Sequence, residues 1–215
     1  MLSNASSLNG YHMKATDGEI GTVADLMYDE SDWAIRWLVV DTGDWLSGRR
    51  VLLPVADVGH PDPDSHDLPI NLTMMQVKES PDVEATLALT QKPEAAPSEL
   101  NGRRRDTQVH LLSEITGNTI EATDGDIGHA EDFLIDTVLW QIRYVIAHTS
   151  SWWPGEKLLV SPLSIDWIDT ARSILNLNVT RQKVKDSPPY VATETVDGSY
   201  EELFHTYYGI HWARL

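Results

Sequence analysis

The 215-residue chain repeats itself in register. Ala15-Thr16-Asp17-Gly18-Glu19-Ile20-Gly21 returns 107 positions later as Ala122-Thr123-Asp124-Gly125-Asp126-Ile127-Gly128. The same offset carries Gly10 onto Gly117, Asp25 onto Asp132 and Asp29 onto Asp136. Trp33-Ala34-Ile35-Arg36-Trp37 lands on Trp140-Gln141-Ile142-Arg143-Tyr144, and Trp45 and Gly48 land on Trp152 and Gly155. Val77-Lys78-Glu79-Ser80-Pro81 matches Val184-Lys185-Asp186-Ser187-Pro188. A self-match held over about 80 residues marks a duplicated structural unit, and two copies of that length read as small domains rather than solenoid turns. The expected division is a first domain over 1–90, a linker over 91–107, a second domain over 108–193 and an aromatic tail over 194–215.

Alternation and turn signals dominate both copies, which predicts a mainly all-β fold. In the first, Tyr11 to Ala15 reads as a strand, Asp17-Gly18 as a two-residue type I′ turn, and Ile20 to Tyr28 as the next strand. The polar run Asp29-Glu30-Ser31-Asp32 turns the chain into Trp33 to Thr42, almost wholly apolar up to Val40 apart from Arg36 and so expected to be central. Val51 to Val55 and Leu68 to Leu72 complete the sheet, and Thr73 to Glu79 reads as a helical turn stopped by Ser80-Pro81. Gln91 to Asp106, with Pro93, Pro97 and Arg103-Arg104-Arg105, has linker chemistry. Val196 to Leu215 has no counterpart in the first copy. Its Tyr200 to Tyr208 segment has helical spacing with Gly209 as a C-cap, and its aromatic side is expected to dock on the chain itself.

Composition narrows the function. With no cysteine, disulfides, thiolate metal sites and cysteine nucleophiles are excluded. A formal net charge of −17 opposes nucleic-acid binding, which needs clustered Lys and Arg, and disfavours anionic membrane surfaces. No stretch approaches the length of an apolar membrane span, and the first residues lack signal-peptide character, so a soluble, cytoplasmic protein is expected. Serines are plentiful, but none sits in a Gly-x-Ser-x-Gly elbow, and Asp17-Gly18-Glu19-Ile20-Gly21 is a hairpin turn, not a phosphate loop. No catalytic constellation repeats with the scaffold, so the expectation is a protein that is not an enzyme.

Taken together, Gly10-Tyr11, Asp17-Gly18-Glu19-Ile20-Gly21, Asp25, Trp33-Ala34-Ile35-Arg36, Val39-Val40-Asp41-Thr42 and Leu53-Pro54 resemble the PRC-barrel family. The second copy keeps the Gly, the Asp-Gly turn, the Asp and the Trp-x-Ile-Arg strand; it departs where His148 replaces the Asp and Asn118 the aromatic. Two tandem small antiparallel β-barrels of roughly six strands each, followed by a short C-terminal helical tail, are what the resemblance implies. It also implies an interaction or scaffold role without a cofactor. Known contexts of the family suggest, as alternatives, an accessory role beside a photosynthetic reaction centre or in ribosome maturation.

Four groups of residues are candidates for chemistry. Counting back from a Tyr28–Trp33 turn places Asp25 opposite Arg36, and Asp132 opposite Arg143, as structural ion pairs. His60, Asp62, Asp64 and His66 form the one dense run of possible metal ligands, which a metal-responsive or stress-related protein could use; a solvated acidic loop is the simpler expectation. Trp45, Trp152 and Trp153 lie in equivalent loops beside glycines and are the candidate surface for a protein partner, which could be a second copy of the chain. His148, in a strand, reads as packed or interfacial.

Overall fold

A computed structural model describes residues 2–90, 109–149, 156–191 and 196–209. The first repeat forms β1 (Leu2–Asn4), β2 (His12–Ala15), β3 (Gly18–Asp29), β4 (Ala34–Asp41), β5 (Arg50–Pro54), β6 (Asp67–Pro69), α1 (Met74–Lys78) and α2 (Val83–Thr90). The second forms β7 (Val109–Leu111), α3 (Leu112–Ile115), β8 (Thr119–Ala122), β9 (Gly125–Asp136), β10 (Gln141–Thr149) and β11 (Lys157–Val160). It ends with β12 (Ile165–Asp169), β13 (Ile174–Leu177), α4 (Arg181–Lys185) and α5 (Gly198–Tyr208). The fold is mainly β. None of the described helices is long and apolar enough to cross a membrane.

The chain divides into two compact units whose boundary is not that of the repeat. One unit holds residues 7–113 and 137–141; the other holds 1–6, 114–136 and 142–215. In the first unit the strands run in the order β6-β2-β3-β4-β5, with β7 added to the far end of the long β3. In the second the order is β12-β13-β8-β9-β10-β11, with β1 added to the end of β9. Leu2–Asn4 is the 107-offset counterpart of Val109–Leu111. Each long strand therefore takes its extra partner from the leading segment of the other repeat.

Among the described residues neither ladder closes into a barrel, and neither is wholly antiparallel. β2 pairs antiparallel with β3 but parallel with β6, His12 facing Asp67; β8 pairs parallel with β13, Thr119 facing Ile174. The expectation of two antiparallel barrels is corrected here. Residues 55–66 carry the chain from β5 to the outer edge of β2, a crossover of the length a parallel neighbour requires. Hydrophobic alternation records which face a residue takes, not the direction of the strand beside it.

Several repeated residues have local causes. Neither Asp17 nor Gly18 has positive φ, so the turn is not type I′; Ala15 already pairs with Gly18, and Thr16-Asp17 is the loop. Asp17 instead accepts a hydrogen bond from the Met74 N–H at 2.7 Å, capping α1, as Asp124 accepts from the Arg181 N–H at 2.7 Å on α4. Thr73 completes a capping box with Gln76. A Cβ on Gly21 would lie 2.0 Å from the Asp41 carbonyl oxygen, and one on Gly128 2.0 Å from that of His148. Only glycine fits this approach of neighbouring strands.

The cores show why the tail exists. In the first unit, Met27, Val39, Leu52, Val83 and Leu111 pack together, with Trp37 and Leu87 against them. In the second, Leu134, Tyr144, Ile146 and Leu159 hold the 107-offset positions of Met27, Trp37, Val39 and Leu52, and Phe204 of α5 completes the cluster. Helix α2 covers the first core with Val83 and Leu87; α5 covers the second with Phe204. The tail thus has a structural counterpart that its sequence hides. Asp197 caps its start by accepting from the Tyr200 N–H, and Gly209 ends it at φ 66°.

Candidate partner-binding edge

The structure corrects the proposed ion pairs. Asp25 faces Val39 across the ladder, because the turn pairs Asp29 with Ala34 and Arg36 is the extra residue of a bulge between the Tyr28–Ile35 and Met27–Trp37 pairs. Arg36 turns back on the turn itself, bonding the Asp32 carboxylate and reaching Asp29 at 3.5 Å. Asp25 accepts instead from the Ser113 N–H at 3.3 Å and the Ser113 hydroxyl at 2.5 Å. Asp132 does the same with Ser6, at 3.1 and 2.5 Å, and Arg143 reaches Glu201 of α5 at 3.1 Å. The repeated carboxylates fasten the exchanged segments, β7 on β3 and β1 on β9. Counting register from a turn cannot anticipate a bulge.

The His60-to-Asp67 loop is held by its own backbone. Asp62 accepts from the Asp64 N–H at 2.9 Å and the Ser65 N–H at 3.4 Å, and the Asp64 bond is the main reason its carboxyl sits below its ordinary range. His66, at φ 56°, gives its carbonyl to the His12 N–H and lays its ring 5.2 Å from that of Tyr11. His60, Asp62, Asp64 and His66 do not converge; among the described residues no three potential ligands do.

Of the three loop tryptophans, Trp45 is half-buried in a 3-10 turn over Gly43–Leu46, while Trp152 and Trp153 lie outside the described residues. The aromatic tail offers no free face at Phe204, which has no exposed surface. Two of its phenols are half-buried or more: desolvation pushes Tyr208 up to about 12 and Tyr200 higher still.

Exposed large apolar side chains are spread over several elements, and two of them lie at β12. Trp167 is 50% exposed and Leu163, in the 3-10 turn leading into the strand, 52%. β12 pairs only with β13, so among the described residues its other edge is left unpaired. Asp166 is the extra residue of a bulge between Ile165 and Trp167, and Asp169 follows on the same strand. The combination is an open edge, an exposed indole and the Asp166 carboxylate; Asp169 instead accepts from the Arg172 N–H at 3.1 Å. Sequence reasoning passed over Trp167 because attention fell on positions shared by the copies, and the first repeat forms no strand equivalent to β12. The run Ile165-Asp166-Trp167-Ile168-Asp169 was the available signal.

A family model described as PRC-barrel domain matches residues 6–72. No curated protein matches the chain. The match covers the first repeat, from the start of the first unit's body to the end of its sheet.

Proposed function

We propose that the chain is a non-enzymatic interaction module of two PRC-barrel-type repeats, which binds an extended basic segment of a protein partner along the open edge of β12. The supporting observation is the edge itself, with Trp167 and Leu163 exposed beside it. Strand addition would satisfy the free backbone groups of β12, and the indole would supply an apolar anchor. Asp166 favours Lys or Arg on the incoming strand, in keeping with the net charge of −17. The same carboxylate, with the bulge, discourages pairing of β12 with the β12 of a second copy.

The test is a titration of the full chain with an alternating Lys-Val octapeptide and with its Glu-Val counterpart, read by tryptophan fluorescence. Saturable binding of the Lys-Val peptide alone is expected, lost in Trp167→Ala and reversed toward the Glu-Val peptide in Asp166→Lys. Equal binding of both peptides, or binding untouched by these variants, refutes the proposal. Concentration-dependent sedimentation abolished by Trp167→Ala would instead make a second copy the partner.

A further inference from the structure

We propose that a second copy of this chain is a partner, joined by exchange of repeats: the first repeat of each copy is completed by the second repeat of the other. The inference goes beyond the partner-binding edge and is independent of it. Each unit is completed by residues of the opposite repeat. The first takes β7, laid on β3 with Leu111 facing Met27 and buried in the same core, and Ser113, bonded to Asp25. The second takes β1, laid on β9 with Asn4 facing Leu134, and Ser6, bonded to Asp132. These contacts are reciprocal. Asp132 and Ser113 stand 107 positions after Asp25 and Ser6, so one bond is the other with the repeats interchanged. Ala34 pairs with Gln141, its own counterpart, where the Ile35 N–H donates to the Trp140 carbonyl at 2.7 Å. When one residue meets a second and their equivalents meet in return, the interface is isologous, the kind that two copies of one chain form.

The repeats thus meet as two subunits would, and the meeting is intramolecular only because residues 91–108 join α2 to β7. Exchange breaks and remakes the same pairings, so contact energy does not choose between a closed monomer and an exchanged dimer. The choice rests on the effective concentration that the connection imposes, on the order of millimolar for a short linker. That connection carries Pro93, Pro97 and Arg103-Arg104-Arg105, with Leu100 as its one large apolar residue. A chain folding well below the effective concentration closes on itself. A chain folding near it, or with a connection too short to close, takes its missing segments from a second copy. Once formed, the exchanged dimer reverts only when both sets of pairings open together, so it outlasts dilution.

The experiment refolds the full chain from urea at about 10 µM and at about 1 mM, below and at that effective concentration, and sizes the products by gel filtration with light scattering. Monomer is expected at the lower concentration, and a dimer beside it at the higher one that survives dilution back to the lower. Removing residues 94–105 should bring dimer into the dilute sample as well. Trp167→Ala should leave the dimer in place, which separates exchange from association through β12. The chain has no cysteine, so Ser6→Cys/Asp132→Cys reports where the exchanged segment sits. On a non-reducing denaturing gel its disulfide should lie within one chain in the monomer fraction and between chains in the dimer fraction. No dimer at the higher concentration, a dimer that falls apart at once on dilution, one lost in Trp167→Ala, or one whose proportion ignores the deletion overturns the proposal.

Discussion

Replacing Phe204 by Ala tests whether α5 is part of the second unit's core or an appendage. The ring has no exposed surface and packs on Leu134, Tyr144, Ile146 and Leu159. It meets the Tyr144 ring edge-on at 5.0 Å and the Tyr208 ring at 4.6 Å. Truncating a buried Phe costs about 3–5 kcal/mol, and two aromatic neighbours worth about 0.5–1.5 kcal/mol each place this site in the upper half of that range. For a chain of this size the melting temperature should fall by about 8–20 °C. Leu203, the preceding residue on the same helix, is 58% exposed, and Leu203→Ala should stay within about 0.5 kcal/mol. Urea unfolding followed by tryptophan fluorescence compares the two variants directly. If Phe204→Ala and Leu203→Ala have the same midpoint, α5 does not carry the core and the reasoning fails.

Two further outcomes follow from particular contacts. A protease site placed between residues 91 and 106 should yield halves that still co-elute in gel filtration after cutting, because β1 pairs with β9 and β7 with β3. Asp25→Ala/Asp132→Ala, which removes the bonds to Ser113 and Ser6, should make the cut halves separate at lower urea; halves that part on cleavage alone would contradict the strand exchange. Burial, helped by Arg143 and opposed by Glu201, holds the His205 imidazole below its ordinary range, and its Nε2 lies 3.3 Å from the Tyr144 hydroxyl. The unfolded chain, with an imidazole pKa of about 6.5, takes up this proton first. The contribution is therefore full above that value and lost as pH falls from there toward the lowered folded pKa. His205→Gln should flatten the decline in urea midpoint between pH 7.5 and pH 5.5; an unchanged slope would rule out this titration.

Much of the scaffold could be read locally. The Thr73 cap, the proline stop after α1 and the long central strands depend on residues close in sequence, and duplication displayed each of them twice. Local chemistry also explains the failures. Arg36 was assigned to Asp25 by counting from a turn, but the bulge moved it onto Asp32. The repeated Asp25 and Asp132 were expected to pair with Arg36 and Arg143, but their partners, Ser113 and Ser6, lie 88 and 126 positions away. Trp167 was missed because its significance depends on β12 being an edge, which no window of sequence contains.

What the sequence determined by itself is the repeat, the β-rich character and the positions where only glycine is tolerated. Backbone sterics and hydrophobic periodicity act over a few residues, and both leave a signature in the order of residues. Tertiary structure alone decided which long strand receives Leu2–Asn4 and which receives Val109–Leu111, and which helix covers each core. Because the two repeats present equivalent long strands and equivalent apolar faces, either could have accepted either segment. The choice rests on pairing and burial summed over the folded chain, where segments far apart in sequence compete for the same edge.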